Sequence, residues 1–164
     1  MAFDERSQAR VLAVQALCLF DSLGEDFLGD LDAFLSDKLN LEDLGWRRRP
    51  RAKLLNLARS WALGAWQIRD RSDRYLKGHA QDWSIERMQP VDRNILRLGV
   101  YELLECPQTP APIVINEAIE LAKRFGGAES PAFVNGVLDS VRRELDRVSA
   151  GPQPEATDPS AQAT

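Results

Sequence analysis

The stretch PVDRNILRLGVYELLECPQTPAPIVINEAIELAKRFGGAESPAFVNGVLDSVRREL, residues 90–145, decides the fold, because it reads as three consecutive helices with their boundaries written in. Proline costs little at an early helical position, so Pro90-Val91-Asp92 opens the first, whose buried side is Val91, Ile95, Leu96, Leu98, Val100, Leu103 and Leu104. Cys106–Pro112 contains three prolines and must be a connection. After Pro112 the residues Val114, Ala118, Leu121 and Phe125 recur at helical spacing, and Gly126-Gly127 closes that helix. Ser130-Pro131 starts the third: the serine is expected to satisfy orphan N–H groups, and Val134, Val137, Leu138, Val141, Leu145 and Val148 to point inward.

Working back toward the N-terminus, Glu5–Phe20 carries an apolar surface broader than one stripe, which predicts a helix mostly surrounded by others. Glu25–Leu39 repeats Phe27, Leu28, Leu31, Phe34, Leu35 and Leu39 at intervals of three and four, as one amphipathic helical segment does. Asn40–Arg51 reads as a loop, Lys53–Lys77 as a long helix weakened at Gly64 and stopped at Gly78, and Trp83–Met88 as a short helical turn. After Ser149 the tail has no large apolar residue to offset its ordering entropy and is expected to be disordered. No alternating strand pattern occurs. The expected fold is all-α, with about seven helices in a single domain over residues 1–148.

Composition narrows the function. With 164 residues, of which 44% are hydrophobic, the chain can bury one sizeable core. A net charge of −4 argues against gripping nucleic acid through the overall field, leaving local patches. The one dense basic cluster is Arg47, Arg48, Arg49, Arg51 and Lys53; a solvated loop is its simplest reading and an auxiliary RNA-binding or partner-binding patch the alternative, with Trp46 beside it suiting single-stranded nucleic acid. Cys18 and Cys106 lack metal-ligand spacing, and Cys18, inside an apolar helix, reads as a buried free thiol, which fits a reducing cytoplasm. No apolar run is long enough to span a bilayer, and the polar start is not that of a signal peptide. His79 stands alone, and no nucleotide-binding glycine motif or nucleophile with a base partner is present. These features predict a protein that holds and presents, with neither enzymatic activity nor cofactor.

Four motifs in order, ARVLAVQAL (Ala9–Leu17), VDRNILRLGVYELL (Val91–Leu104), INEAIELAKRFG (Ile115–Gly126) and FVNGVLD (Phe133–Asp139), give the chain a specific resemblance to the NusB family of bacterial transcription antitermination factors. The resemblance implies two small helical bundles packed together, about residues 5–79 and 83–148. It also implies binding of boxA RNA with the ribosomal protein NusE, in a complex with RNA polymerase and other Nus factors that supports transcription of ribosomal RNA operons. Family members are monomers or homodimers.

The resemblance further places RNA contact at Arg6 and Arg10, which fall at the positions of the family's basic N-terminal arm, and at Glu129, Ser130 and Phe133. Arg10 has a simpler reading as a solvated helix-face arginine, and Phe133 has one as a core residue, against stacking on an unpaired base. The arm differs from the family's basic arms: Asp4 and Glu5 precede Arg6, and Ser7 and Gln8 separate the two arginines, which predicts weaker and less salt-sensitive RNA binding. The NusE surface is implied near Asp92 and Arg93, although a carboxylate at a helix start is by default a partner of the helix dipole. Asn116 and Glu117 are expected to be structural, one of them buried and hydrogen-bonded, with Arg97 meeting Glu117 across neighbouring helices.

Overall fold

The computed structural model describes residues 4–80 and 84–151, and every regular element among them is helical. The order is α1 (Glu5–Leu23), a 3-10 turn (Gly24–Asp30), α2 (Leu31–Leu35), α3 (Lys38–Asp43), α4 (Ala52–Gln67), α5 (Arg69–His79), a second 3-10 turn (Ile85–Arg87), α6 (Pro90–Glu105), α7 (Ala111–Phe125) and α8 (Ser130–Ala150). Two small bundles pack together. In the first, α1 lies chiefly against α4, with α2 beside them; in the second, α6, α7 and α8 pack on one another; α1 and α5 touch α6 and join the two.

The breadth of the apolar surface on α1 has the predicted consequence: every residue from Ala9 to Val14 is buried, as are Ala16, Leu17 and Phe20. Gly24, at φ +69°, turns the chain out of the helix in a backbone conformation that favours glycine. Around the end of α1, Phe20 stacks on Trp66 with ring centroids 5.2 Å apart and meets Phe27 edge-on at 4.9 Å, and Phe27 in turn meets Phe34 at 5.8 Å. Such offset and edge-on contacts add to the burial of the rings themselves. In the second bundle Gly99 lets α8 close on α6, because a Cβ there would lie 2.8 Å from a methyl of Leu138.

The middle of the N-terminal half departs from the sequence reading. Glu25–Leu39 is not one helix: it contains the 3-10 turn, α2 and the start of α3, which Asp37 caps by accepting a hydrogen bond from the Asn40 N–H at 2.8 Å. The break rotates Leu28 and Leu39 to the surface, leaving Leu39 71% exposed. The predicted loop over Asn40–Arg51 accordingly begins only after Asp43. The predicted long helix divides at Ile68, where Arg69 donates to the Trp66 carbonyl at 2.8 Å and lays its guanidinium 4.0 Å from the Trp66 ring centroid. If α4 and α5, separated by Ile68 alone, are counted as one interrupted helix, the α-helical segments number seven.

In the C-terminal half the boundaries agree more closely. Pro112 lies inside the first turn of α7 rather than ahead of it. The inward stripe of α8 ends before Val148, which is 73% exposed because α8 outruns the helices it packs against. Cys18 is half-buried, not buried, and its thiol lies 3.9 Å from the Pro90 carbonyl. Of the tail expected to be disordered, Ser149 and Ala150 belong to α8, and residues 152–164 lie outside the described residues, as does Trp83 of the expected short turn. No helix among the described residues is long and apolar enough to cross a membrane.

Candidate nucleic-acid interface

Two polar clusters occupy α6, ten residues apart, which at the α-helical rise separates them by about 15 Å. Toward the C-terminal end, Arg10 of α1 donates to Glu102 from Nε at 3.0 Å and from Nη2 at 2.7 Å. Both side chains are only 2% exposed. The Arg10 guanidinium also lies 4.9 Å from the Trp61 ring centroid and 3.7 Å from a Glu117 oxygen. This corrects the view of Arg10 as either a solvated or an arm residue. Two carboxylates and an aromatic face replace the water it gives up, so burial is tolerated.

Arg6 lies four residues earlier, one turn before Arg10 on the same helix, and not in a separate arm. It is half-buried, donates to Thr109 Oγ1 at 3.1 Å and also lies over the Trp61 ring, 5.2 Å from its centroid. Ser7 donates to Glu117 at 2.8 Å, so Glu117 is hydrogen-bonded as expected, but it is half-buried and Asn116 is exposed, so neither is the buried group the sequence suggested. Arg97, however, does not meet Glu117. It binds Asp73 at 2.8 Å and Asp21 at 3.2 Å, because it projects toward α5 and α1 while α7 packs on another side of α6. Burial pushes the Cys106 thiol up, and the nearby Glu102 carboxylate adds to that shift.

At the other end, α6 and α8 begin side by side. The 3-10 turn ahead of α6 and the Gly126-Gly127 turn ahead of α8 enclose a groove of about 460 Å³ lined by Arg87, Met88, Asp92, Glu129, Ser130 and Phe133, among others. The Ser130 hydroxyl donates to Asp92 Oδ2 at 2.8 Å and accepts from the Gly127 N–H at 2.9 Å. Ser130 therefore locks the turn and orients Asp92, in place of the helix capping its sequence position suggested. Asp92 is 8% exposed, and its Oδ1 is buried with no hydrogen-bond partner among the described residues. Glu129 is exposed on the rim, and Phe133 is half-buried, part of its ring on the core and part lining the groove.

Arg93 does not share this groove's opening. It donates to Asp21 at 2.6 Å and 2.8 Å and to the Ile85 carbonyl at 3.0 Å, tying the 3-10 turn and α1 to α6. Burial alone would raise the Asp21 pKa, but hydrogen bonds from Arg93 and Asn94, with the charge of Arg97, outweigh it and hold Asp21 below the usual carboxylate value. The structure thus gathers Asp92, Glu129, Ser130 and Phe133 at one site, leaves Arg6 at the far end of α6, and draws Arg10 and Arg93 into internal ion pairs. Met88, Arg87 and the Arg10–Trp61 contact went unseen in sequence. Trp61 offered a periodic aromatic position as a signal, whereas nothing in the 85–89 segment marked it as a wall.

Among the described residues no group of His, Cys, Asp or Glu side chains is placed to hold a metal ion. A helical scaffold of two bundles, with an open groove at one end of its central helix and a closed ion pair at the other, is the class this fold and site define. The sequence model of the NusB family matches residues 7–143, and the chain belongs to that family. It is 38% identical over 143 residues to the transcription antitermination protein NusB of Desulfatibacillum aliphaticivorans, spanning 87% of this chain and 93% of that protein. Its fold is similar to T. maritima NusB, with TM-score 0.66 and 32% identity over 88% of this chain and 94% of that one. It is also similar to a chain in a crystal structure of antitermination factors NusB and NusE in complex with double-stranded RNA. There the TM-score is 0.68 and the identity 28%, over 85% of this chain and 97% of that one.

Proposed function

We propose that this protein is a cytoplasmic transcription antitermination factor, not an enzyme, that binds boxA RNA together with NusE. In this reading it joins RNA polymerase and other Nus factors and supports transcription of ribosomal RNA operons. The observation that carries the proposal is family membership over residues 7–143 combined with likeness to a chain in a complex of NusB, NusE and RNA. The groove supports it locally: an aromatic edge at Phe133 suits an unpaired base, and the unpartnered Asp92 oxygen suits a donor from RNA or NusE. Arg6 and the Glu129 rim are the remaining contact candidates. Arg10 and Arg93 act by positioning the helices that carry these groups.

A second reading, a helical adaptor that binds protein with little intrinsic RNA affinity, draws on one specific observation: the Arg10 guanidinium is enclosed by Glu102 and Trp61. Titrating labelled boxA RNA with the protein alone and then with NusE separates the two. Sequence-selective binding in the ternary mixture is expected; NusE binding with no RNA retained establishes the adaptor instead.

A further inference from the structure

The start of α1 presents few free cations: Asp4 and Glu5 are exposed there, Arg6 is half-buried and Arg10 is enclosed. The loop carrying the arginine run is fastened to that same place. Trp46 donates its indole N–H to Gln8 Oε1 of α1 at 3.2 Å and its backbone N–H to the Leu41 carbonyl at 2.9 Å. Arg51 lies 3.8 Å from Glu5, and Arg124 at the end of α7 donates to the Leu44 carbonyl at 3.1 Å. Trp46 is thus a half-buried anchor packed on the core, and not a free stacking platform. Beyond it, Arg47, Arg48 and Arg49 are all exposed, and none forms an ion pair with a described residue.

We propose that the loop from Trp46 to Arg51 is a phosphate clamp for single-stranded RNA, extending the transcript path across the start of α1 toward the end of α7. The inference rests on the RNA-binding reading above and adds a site to it. The carboxylates on the segments that meet here are Asp4, Glu5, Glu42, Asp43, Glu117 and Glu120. Glu5, Glu42, Glu117 and Glu120 each lie near a cation, Arg51, Lys38, Arg10 and Lys123 respectively. Asp4 and Asp43 remain against Arg47, Arg48, Arg49 and Lys53, so the local balance is positive in a chain whose net charge is −4. Consecutive exposed guanidiniums can each take a phosphate in a two-pronged hydrogen bond, whereas paired surface cations have less to offer. Because the clamp contacts backbone and not bases, it strengthens binding without selecting sequence.

The test compares the wild-type chain with Arg47→Gln/Arg48→Gln/Arg49→Gln, using labelled boxA RNA and an unrelated RNA of equal length, with NusE present, across a salt series. Arg74→Gln/Lys77→Gln/Arg147→Gln, three exposed cations on α5 and α8, controls for total charge. Each single-strand phosphate contact contributes about 0.7 to the slope of log affinity against log salt, so the triple variant is expected to lower the slope by up to about 2. Affinity for both RNAs is expected to fall about tenfold or more at moderate salt, with an unchanged melting temperature. Wild-type binding with the same slope and affinity in the triple variant overturns the clamp and leaves the proposed function standing. An equal loss in the control variant also overturns it, as an effect of the general field. A wild-type chain that retains neither RNA overturns both.

Discussion

Two carboxylates on one helix, Glu102 and Asp92, are nearly equally buried and have opposite fates. Glu102 receives a fork of hydrogen bonds from Arg10 under a tryptophan face; Asp92 receives one from Ser130 and keeps an oxygen unpaired beside a groove. A buried charge whose lone pairs are filled fixes the architecture, while one left half-filled marks a surface prepared for a visitor. The resemblance assigned Arg10 to RNA contact and Asp92 to the NusE surface, and of the two only Asp92 borders an open groove.

Breaking the closed end carries the largest effect. Glu102→Ala leaves an enclosed guanidinium without its main partner and is expected to cost about 3–5 kcal/mol by denaturant unfolding. Arg10→Met with Glu102→Leu removes both charges and is expected to recover most of that loss. If Glu102→Ala melts no lower than Asp92→Ala, the contrast fails.

Asp21, whose carboxylate holds Arg93, Asn94 and Arg97, tests the closed class by pH. Its pKa is lowered on folding, so the stabilisation is present above the unfolded carboxylate value of about 3.9 and is lost as pH falls through the folded value. Asp21→Asn is expected to cost about 1.5–3 kcal/mol near neutrality, with the gap to wild type closing in acid. Melting curves from neutral to strongly acidic pH check this, and a gap that stays constant removes the linkage.

The open end is expected to respond in binding more than in stability. Phe133→Ala is expected to remove about 1–3 kcal/mol of RNA affinity, measured beside its melting temperature. A drop in stability with RNA affinity intact assigns the ring to the core. Smallest in stability is Asp92→Asn, which keeps an acceptor for Ser130 and loses only charge near the start of α6, about 1 kcal/mol or less. Its effect is expected in NusE capture, and undiminished capture takes Asp92 off the partner surface.

The sequence revealed most of α6, α7 and α8 because proline and glycine punctuate apolar repeats that a single packed face explains. It was less legible from Gly24 to Arg51, where short helices change direction before a period of 3.6 can establish itself, and where Leu39 satisfies the pattern yet faces water. At the site, Glu129, Ser130 and Phe133 were readable as one segment, but their meeting with Asp92 was not, since it depends on how two helix starts align. Arg10 was the hardest to read: the apolar neighbours Ala9 and Val11 hinted at burial, but its tolerance depends on a carboxylate ninety-two residues away. For the same reason the Arg97–Glu117 pairing failed, as the register of three helices chose Asp73 and Asp21 as partners instead.

The Arg10–Glu102 bond also sets an order of events during synthesis. The first helix leaves the ribosome long before its counter-charge exists, so the early half-molecule must either keep that guanidinium wet or shelter a lone cation. A fragment ending at His79 is accordingly expected to remain loosely packed by near-UV circular dichroism, and the nascent chain to mature only when its central helix has emerged.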